Sequence, residues 1–248
     1  MLAGVSVDYY TRLERGNLSG VSESVLEALA RALALDEAER DHLRNLARSA
    51  NTPARARRPA NATRQVRPAV QRILDALTDA PAYVRNANLD VLATNHLGRS
   101  VFVEALDDPR GVPNLARYQF LDPRSRVFFV NWEVRATDCV ALLRAQAGRD
   151  PFDRQLTDLV GELSTRSEEF RTRWASHDVR KHRTGSKQFR HPRVGLMDLD
   201  YEALELASDP GLTLMVYTAS PGSPSADALQ LLASLMATEA AYSGPASS

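Results

Sequence analysis

Residues 82–93 read Ala-Tyr-Val-Arg-Asn-Ala-Asn-Leu-Asp-Val-Leu-Ala, and this stretch decides the fold. Ala82–Arg85 and Leu89–Ala93 have the composition of two short strands, and Asn86-Ala87-Asn88 between them suits a hairpin turn. An antiparallel hairpin therefore lies in the first half of the chain, between segments that carry helical patterns.

Helical patterns flank the hairpin on both sides. The helix before it has an apolar face formed by Val66, Val70, Ile73, Leu74 and Leu77. The chain from His96 to Asp178 is predicted to be helical, and its clearest apolar stripe comprises Leu156, Leu159, Val160 and Leu163.

Three more strands are predicted near the end of the chain, over Ser186–His191, Val194–Leu206 and Leu212–Thr218. A final helix carries Leu229, Leu232, Leu235 and Met236. Strands grouped in this way, rather than alternating with helices, predict an α+β fold with one antiparallel sheet flanked by helices.

Composition places the chain among ordinary soluble proteins. It has 248 residues, 44% of them hydrophobic, and a formal net charge of zero, so any nucleic-acid surface must come from local segregation of charge. Cys139 is the single cysteine, which excludes an intramolecular disulfide and fits a reducing compartment. We recognise neither a signal peptide nor a membrane-spanning run, so we expect a cytoplasmic protein without a membrane partner.

The first 50 residues have the pattern of short helices. Residues 2–16, Leu-Ala-Gly-Val-Ser-Val-Asp-Tyr-Tyr-Thr-Arg-Leu-Glu-Arg-Gly, resemble the turn and recognition helix of lambda-repressor-like (XRE-type) helix-turn-helix proteins. A second helix is indicated by Leu26, Leu29, Ala30 and Leu33. The resemblance implies double-stranded DNA as a partner and an outward face that enters the major groove, formed by Ser6, Val7, Asp8, Tyr9, Thr11 and Arg12.

The helix-turn-helix pattern is partial, because a complete domain of this type has two further helices before the recognition helix. Only residues 1–3 precede the turn in this sequence. Two interpretations remain open: a regulator whose true start lies upstream of Met1, or a truncated paralogue that serves as a ligand-binding or dimerisation module without binding DNA.

A linker is predicted between the two domains. Residues 51–65 contain prolines and arginines with almost no large apolar side chains, and no acid occurs between His42 and Leu74. The basic run is either a solvated tail or a segment that follows DNA phosphates. The expected organisation is a partial DNA-binding domain over 1–50, the linker over 51–65, a larger domain over 66–240 and a disordered tail over 241–248.

Six stretches of the domain predicted over 66–240 carry a second resemblance, namely residues 114–123, 132–133, 141–149, 177–179, 189–192 and 217–225. These stretches resemble the MmyB-like transcription regulators of bacteria, in which this part of the chain is a sensory domain. The resemblance implies a PAS-like ligand-binding domain and a small hydrophobic ligand of the fatty-acid type. A second copy of the chain, in a homodimer, is a further expected partner.

An apolar tube with a polar mouth would suit such a ligand. For the tube the sequence offers Phe102, Leu115, Phe120, Phe128, Phe129, Trp132 and Leu143, although a place in the protein core is favoured over ligand contact for each of them. For the polar end it offers Asn95, Asn114, Arg117 and His191. Arg117 lies between apolar residues and needs a carboxylate partner, from either a ligand or a protein acid. Asn95 also suits the N-cap of the next helix.

Enzymes and metalloproteins fit the sequence less well. We recognise no nucleophile elbow, phosphate-binding glycine loop, zinc-protease motif or cofactor motif. A metal cluster of His177, Asp178, His182 and His191 matches no common spacing and lies in a basic stretch. That stretch, which contains Arg180, Lys181, Arg183, Lys187, Arg190 and Arg193, is predicted to be a solvated β-hairpin or a second phosphate-contacting surface.

Overall fold

The computed structural model describes residues 22–33, 35, 40, 43, 65–109, 111–176 and 184–242. The predicted DNA-contacting residues and nearly all of the linker lie outside the described residues. The helices, in chain order, are α1 (Glu23–Ala32), α2 (Pro68–Ala76), α3 (His96–Val101), α4 (Val103–Leu106), α5 (Leu115–Leu121), α6 (Arg124–Phe128), α7 (Trp132–Arg149), α8 (Arg154–Arg166), α9 (Glu168–Ala175) and α10 (Pro224–Tyr242).

The described strands form one antiparallel sheet. The strands are β1 (Ala82–Arg85), β2 (Val91–Thr94), β3 (Thr184–His191), β4 (Gly195–Glu205) and β5 (Thr213–Thr218). Their order is β2-β1-β5-β4-β3, and every neighbouring pair is antiparallel. The predicted α+β class and antiparallel sheet are confirmed.

The β1–β2 hairpin forms where the sequence predicts it. The backbone N–H of Asn86 donates to the carbonyl of Asp90, and the Asn86 side-chain oxygen accepts the Asp90 N–H at 2.9 Å. Leu89 has a φ of 67°, a left-handed conformation that is uncommon for a bulky side chain. The hairpin therefore contains one residue with a strained backbone, in addition to an irregularity in the β1–β2 register between Val84 and Arg85.

The first face of the sheet is covered by α2. Val70 and Leu74 of this helix are buried against Ala82, Val84, Leu212 and Leu214 of the sheet and its β4–β5 turn. Arg67, just before α2, forms a bidentate pair with Asp209 in the same turn, with nitrogen–oxygen distances of 2.7–2.9 Å. The predicted apolar face is wrong at Ile73, which is 54% exposed because it lies on the solvent side of a short helix. Leu33 is likewise exposed, since α1 ends at Ala32.

The second face of the sheet carries the main core. Side chains of β1, β3, β4 and β5 meet residues of α3, α5, α6 and α10 there. A further cluster joins α5 to α7, α8 and α9 around Leu143, Leu163 and Phe170. In the part of the chain that the structure describes, no helix has both the length and the apolar character to cross a membrane.

Candidate ligand-binding site

A cavity of about 110 Å³, here called the inner cavity, lies between the second face of the sheet and the helices that cover it. The sheet and its hairpin contribute Tyr83, Arg85, Leu89, Lys187, Phe189, Tyr201, Ala203, Met215 and Tyr217. The helices and their connections contribute Phe102, Ala105, Leu115, Gln119, Phe129, Arg135, Asp138, Cys139 and Leu142. Its wall is therefore largely aromatic and aliphatic, with a few charged groups.

The Lys187 side chain is part of this wall because successive side chains of β3 alternate between the two faces of the sheet. Side chains two residues apart share a face of a strand, so Lys187 lies on the same face as the fully buried Phe189. Its Nζ atom is 4.1 Å from the centre of the Tyr201 ring and donates a 3.3 Å hydrogen bond to the Tyr217 hydroxyl. The prediction that the basic stretch is solvated is wrong at this position, because strand parity turns the side chain inward.

Burial changes the acid–base properties of Lys187. The residue as a whole is only partly buried, whereas its ammonium group is enclosed by protein. Desolvation, reinforced by the positive charges of Arg135 and Arg85, lowers the pKa of Lys187 to about 7. No carboxylate among the described residues lies within ion-pair distance of it.

Two arginines add to the positive charge of the wall. Arg135 pairs with Asp138 one turn along α7 at 3.2 Å, and both side chains are 18% exposed. Arg85 donates a 3.2 Å hydrogen bond to the carbonyl of Asn86 and has no ion pair among the described residues. Three cations and one carboxylate thus face a mostly apolar cavity, which is an arrangement that favours a negatively charged ligand group.

The tyrosine hydroxyls in the wall form a short hydrogen-bonded chain. Tyr217 and Tyr83 are joined at 3.2 Å, so the chain runs from Lys187 through Tyr217 to Tyr83. Desolvation raises the pKa of both tyrosines, and these hydroxyls stay protonated at neutral pH. Burial also raises the pKa of the Cys139 thiol to about 12, so the thiolate that would make it reactive is scarce.

A second cavity of about 410 Å³, the outer cavity, adjoins the inner one. The two share Arg85, Leu142 and Ala203. The remaining lining residues are Ala87, Ala145, Gln146, Arg149, Glu205, Leu206, Ala207, Pro210, Gly211, Leu212 and Thr213. It lies between the second half of α7 and the β4–β5 turn, and most of its side chains are small or apolar.

The aromatic residues expected to form a tube divide into two groups. Phe102, Leu115 and Phe129 line the inner cavity. The others are not among its lining residues: Phe128 packs between Phe102 and Phe189, and Phe120 packs between Trp132 and Phe170. Leu143 is fully buried in the cluster of α5, α7, α8 and α9. The Trp132 ring nitrogen donates to the carbonyl of Gln119 and to the Ser125 hydroxyl.

The Asn95 side chain joins the segment before β1, the start of β1 and the first turn of α3 through hydrogen bonds. It is 2% exposed, and its side-chain oxygen accepts the N–H groups of Gly98 and Ala82. Its amide nitrogen donates to the carbonyls of Leu77 and Ala80. All four hydrogen-bonding positions are occupied by protein atoms, which matches the capping role that the sequence also allowed.

Asn114 is used in the same way at the start of α5. Its oxygen accepts the N–H groups of Ala116 and Arg117, and its nitrogen donates to Asn88 and Asp90. Its side chain is therefore fully occupied in joining α5 to the β1–β2 hairpin.

Arg117 and His191 also have protein partners. The Arg117 guanidinium pairs with Glu162 of α8 at 2.7 Å, which makes the carboxylate partner a protein acid. The Nε2 atom of His191 lies 3.0 Å from the carbonyl of Ser100, and its Nδ1 accepts the Arg193 N–H. Desolvation lowers the pKa of His191, so the ring is neutral near pH 7.

Arg117 and Asn114 border a third cavity, the acidic cavity, of about 370 Å³. Its charged residues are Glu104, Asp107, Asp108, Arg117, Asp122 and Arg166. Acids outnumber arginines there, in contrast to the inner cavity, so this cavity is a poor environment for an anion.

The charged and hydroxyl groups of the inner cavity were missed by sequence reasoning. Lys187 was treated as one member of a basic run, although its even spacing from Phe189 and His191 was a usable signal. Arg135 and Asp138 gave no comparable signal, because their convergence with Arg85 depends on how α7 packs along the inner cavity.

A metal site finds no support in the described part of the chain. No group of three or more His, Cys, Asp or Glu side chains suited to a metal ion occurs among the described residues. His177, Asp178 and His182 lie outside the described residues. The described member of that set is His191, and both of its ring nitrogens contact the protein backbone, at Ser100 and at Arg193.

Comparisons with known proteins agree with this arrangement. Residues 66–232 match the MmyB-like transcription regulator ligand binding domain, and residues 1–43 match a helix-turn-helix domain. No curated protein gives a significant match. Since the first match covers more than half of the 248 residues, the chain belongs to the MmyB-like transcription regulators, with a DNA-binding helix-turn-helix domain followed by a ligand-binding domain.

Proposed function

We propose that this regulator binds a fatty acid or a similar amphipathic acid in the inner and outer cavities. The acid group lies beside Lys187, and the apolar chain runs past Arg85 and Leu142 into the outer cavity. The observation that carries the proposal is the coincidence of an aromatic wall with three cations and a single acid.

Charge supports the acidic head group. Lys187 is held without a carboxylate partner among the described residues, and a desolvated cation of this kind is costly. A ligand carboxylate offsets that cost through a charge-assisted hydrogen bond, and the Tyr217 hydroxyl lies close enough to share in binding it.

Size supports an extended apolar chain. The inner cavity alone is smaller than the roughly 300–1,000 Å³ of typical ligand pockets, whereas the two adjoining cavities together fall in that range. Ala87, Ala145 and Ala203 leave room in the outer cavity, and Leu142 and Leu206 supply apolar contact.

The alternative position for the carboxylate, beside Arg117, is less favourable. Arg117 is already paired with Glu162, and a ligand there must displace that acid or face the surplus of acids in the acidic cavity. We therefore take Lys187 rather than Arg117 as the head-group contact, and Arg117 serves as a matched control.

The architecture suits a PAS-like sensor domain. The described strands form one antiparallel sheet that carries the inner cavity on one face, and α3, α5 and α6, which lie between β2 and β3 in the chain, pack on that face together with α10. A ligand held between sheet and helices contacts several elements at once, so binding can shift how they pack.

The DNA-binding half of the proposal rests on the helix-turn-helix match. Ser6, Val7, Asp8, Tyr9, Thr11 and Arg12 are the proposed DNA contacts. A homodimer is proposed because proteins of this kind commonly bind paired half-sites. Fluorescence anisotropy with genomic promoter fragments, with and without fatty acid, tests whether the ligand changes DNA affinity, and sedimentation tests the dimer.

The ligand is tested by a thermal-shift series of saturated fatty acids, together with native mass spectrometry of freshly purified protein. Each buried CH₂ contributes about 0.8 kcal/mol, so the melting temperature rises with chain length until the outer cavity is filled. No shift with any acid, together with no bound lipid in the mass spectrum, contradicts the proposal.

A further inference from the structure

We propose that the Nζ atom of Lys187 forms a reversible imine with long-chain aldehydes that enter the inner cavity. The proposal extends the proposed ligand site to a second chemical class and rests on that site being open to apolar chains. It gives the regulator a covalent mode of sensing in addition to ionic binding of an acid.

The surroundings of Lys187 meet the requirements for a nucleophilic amine. An amine attacks a carbonyl only in its neutral form, and lysines acquire that form near neutral pH when they are desolvated or lie beside other cations. Lys187 has both conditions: its ammonium is enclosed against Tyr201, and Arg85 and Arg135 share the cavity.

The reaction balances with groups already present. The Lys187 lone pair attacks the aldehyde carbon, and the carbonyl oxygen takes up the proton that the amine loses. The resulting carbinolamine then releases that oxygen as water while the C=N bond forms, so R–CHO and Lys–NH₂ give R–CH=N–Lys and H₂O. The protonated Tyr217 hydroxyl, 3.3 Å from Nζ, is positioned to donate a hydrogen bond to the departing oxygen.

Among the groups that face Lys187, it is the one that titrates near neutrality. The other charged groups that line the cavity are Arg85 of β1 and the ion pair of Arg135 with Asp138 on α7. Burial raises the pKa of the nearby thiol and tyrosines, here Cys139, Tyr83, Tyr201 and Tyr217, so they keep their protons. A pH profile of imine formation therefore reports on Lys187 itself.

The chain provides its own reference for a trapping experiment, because Lys181 and Lys187 are its two lysines. The full chain is incubated with decanal and sodium cyanoborohydride at pH 7, and the alkylated lysine is located by peptide mass spectrometry. An ordinary lysine with a pKa near 10.4 has about a thousandfold less neutral amine at pH 7 than one with a pKa near 7. Since a less basic amine is also less nucleophilic, we expect at least a tenfold excess of labelling at Lys187.

Labelling at Lys187 should follow a titration near pH 7, whereas an ordinary lysine gains neutral amine up to a pH near 10.4. Lys187→Arg keeps the positive charge but abolishes labelling at that position, and Lys181→Arg leaves labelling of Lys187 unchanged. Decanoic acid, which occupies the same cavity, suppresses labelling of Lys187.

Two outcomes overturn the inference, and they are distinguishable from failure of the proposed function. Equal labelling of both lysines, or none at Lys187, rejects the imine even if fatty acids still raise the melting temperature. Labelling of Lys187 in a protein whose melting temperature no fatty acid shifts retains the imine and rejects the proposed acid ligand.

Discussion

The ammonium of Lys187 lies 4.1 Å from the centre of the Tyr201 ring, on the face of the sheet that lines the inner cavity. The ring face attracts the cation, whereas desolvation and the positive charges of Arg135 and Arg85 disfavour it and lower the pKa of Lys187 to about 7. Near pH 7 Lys187 is therefore close to the midpoint of its titration. A bound carboxylate favours the charged ammonium form, so ligand binding is accompanied by uptake of a proton at Lys187.

The first prediction concerns stability against pH for Lys187→Met. The folded pKa, about 7, lies below the unfolded value, so the unfolded state binds more protons between about pH 7 and 10.4. The cost of burying the charge is thus complete below pH 7 and fades as pH rises through this window. Lys187→Met should raise the free energy of unfolding by roughly 1–3 kcal/mol at pH 6, after allowance for solvent access, and by progressively less toward pH 10.

Denaturant unfolding across this pH range measures the effect. Arg190→Met is the control, since Arg190 is an exposed cation of the same strand. A pH-independent effect of Lys187→Met would show that its ammonium is not desolvated.

The second prediction concerns the strained residue in the β1–β2 hairpin. Leu89→Gly and Leu89→Ala both remove the side chain, but only glycine accepts a φ of 67° without a steric cost. We expect the glycine variant to be more stable than the alanine variant by about 1 kcal/mol. The same pair of substitutions at Leu142, within α7, should show the reverse order by a similar amount. Chemical denaturation of the four variants measures the difference in the free energy of unfolding between glycine and alanine at each position.

The third prediction separates structural from ligand-binding roles at Asn95. Asn95→Ala leaves the buried groups of Leu77, Ala80, Ala82 and Gly98 without their partners. We expect a loss of about 2–4 kcal/mol in the free energy of unfolding, with the fatty-acid Kd of the folded protein unchanged. A large loss of affinity at unchanged stability would instead support the ligand contact that the sequence suggested.

The fourth prediction concerns the Arg117–Glu162 pair. Both side chains are about one quarter exposed, and the pair links α5 to α8 rather than facing the inner cavity. A double-mutant cycle with Arg117→Met and Glu162→Gln should give a coupling energy of about 1 kcal/mol or less. Fatty-acid affinity should change less than twofold in either variant. A larger change would indicate that the ligand carboxylate binds beside Arg117 instead of Lys187.

The sequence was sufficient for the architecture. The hairpin, the three late strands and the final helix all carry strong local signals, such as the turn at Asn86-Ala87-Asn88 and the alternation that places Met197, Leu199 and Tyr201 on one face of β4. Errors arose at Ile73 and Leu33, where an apolar residue extends beyond the contact surface of a short helix.

The sequence was insufficient for the binding site, because the inner cavity is assembled from residues far apart in the chain. Arg85, Arg135 and Lys187 come from three elements, and their convergence depends on the strand order of the sheet and on the packing of α7 along the inner cavity. Phe120, Phe128 and Trp132 are aromatic, like much of the cavity wall, but they pack against other aromatic side chains outside the lining. Aromatic content alone therefore does not distinguish the protein core from a pocket.

The most direct test of the account compares a fatty acid with the alcohol of the same chain length by isothermal titration calorimetry. The parent chain, Lys187→Met and Arg117→Met are titrated with dodecanoic acid and dodecanol at pH 7. The account predicts that the parent prefers the acid by at least tenfold, that Lys187→Met loses this preference while still binding the alcohol, and that Arg117→Met retains it. Loss of the preference in Arg117→Met but not in Lys187→Met, or no binding of either compound to the parent, would contradict the account.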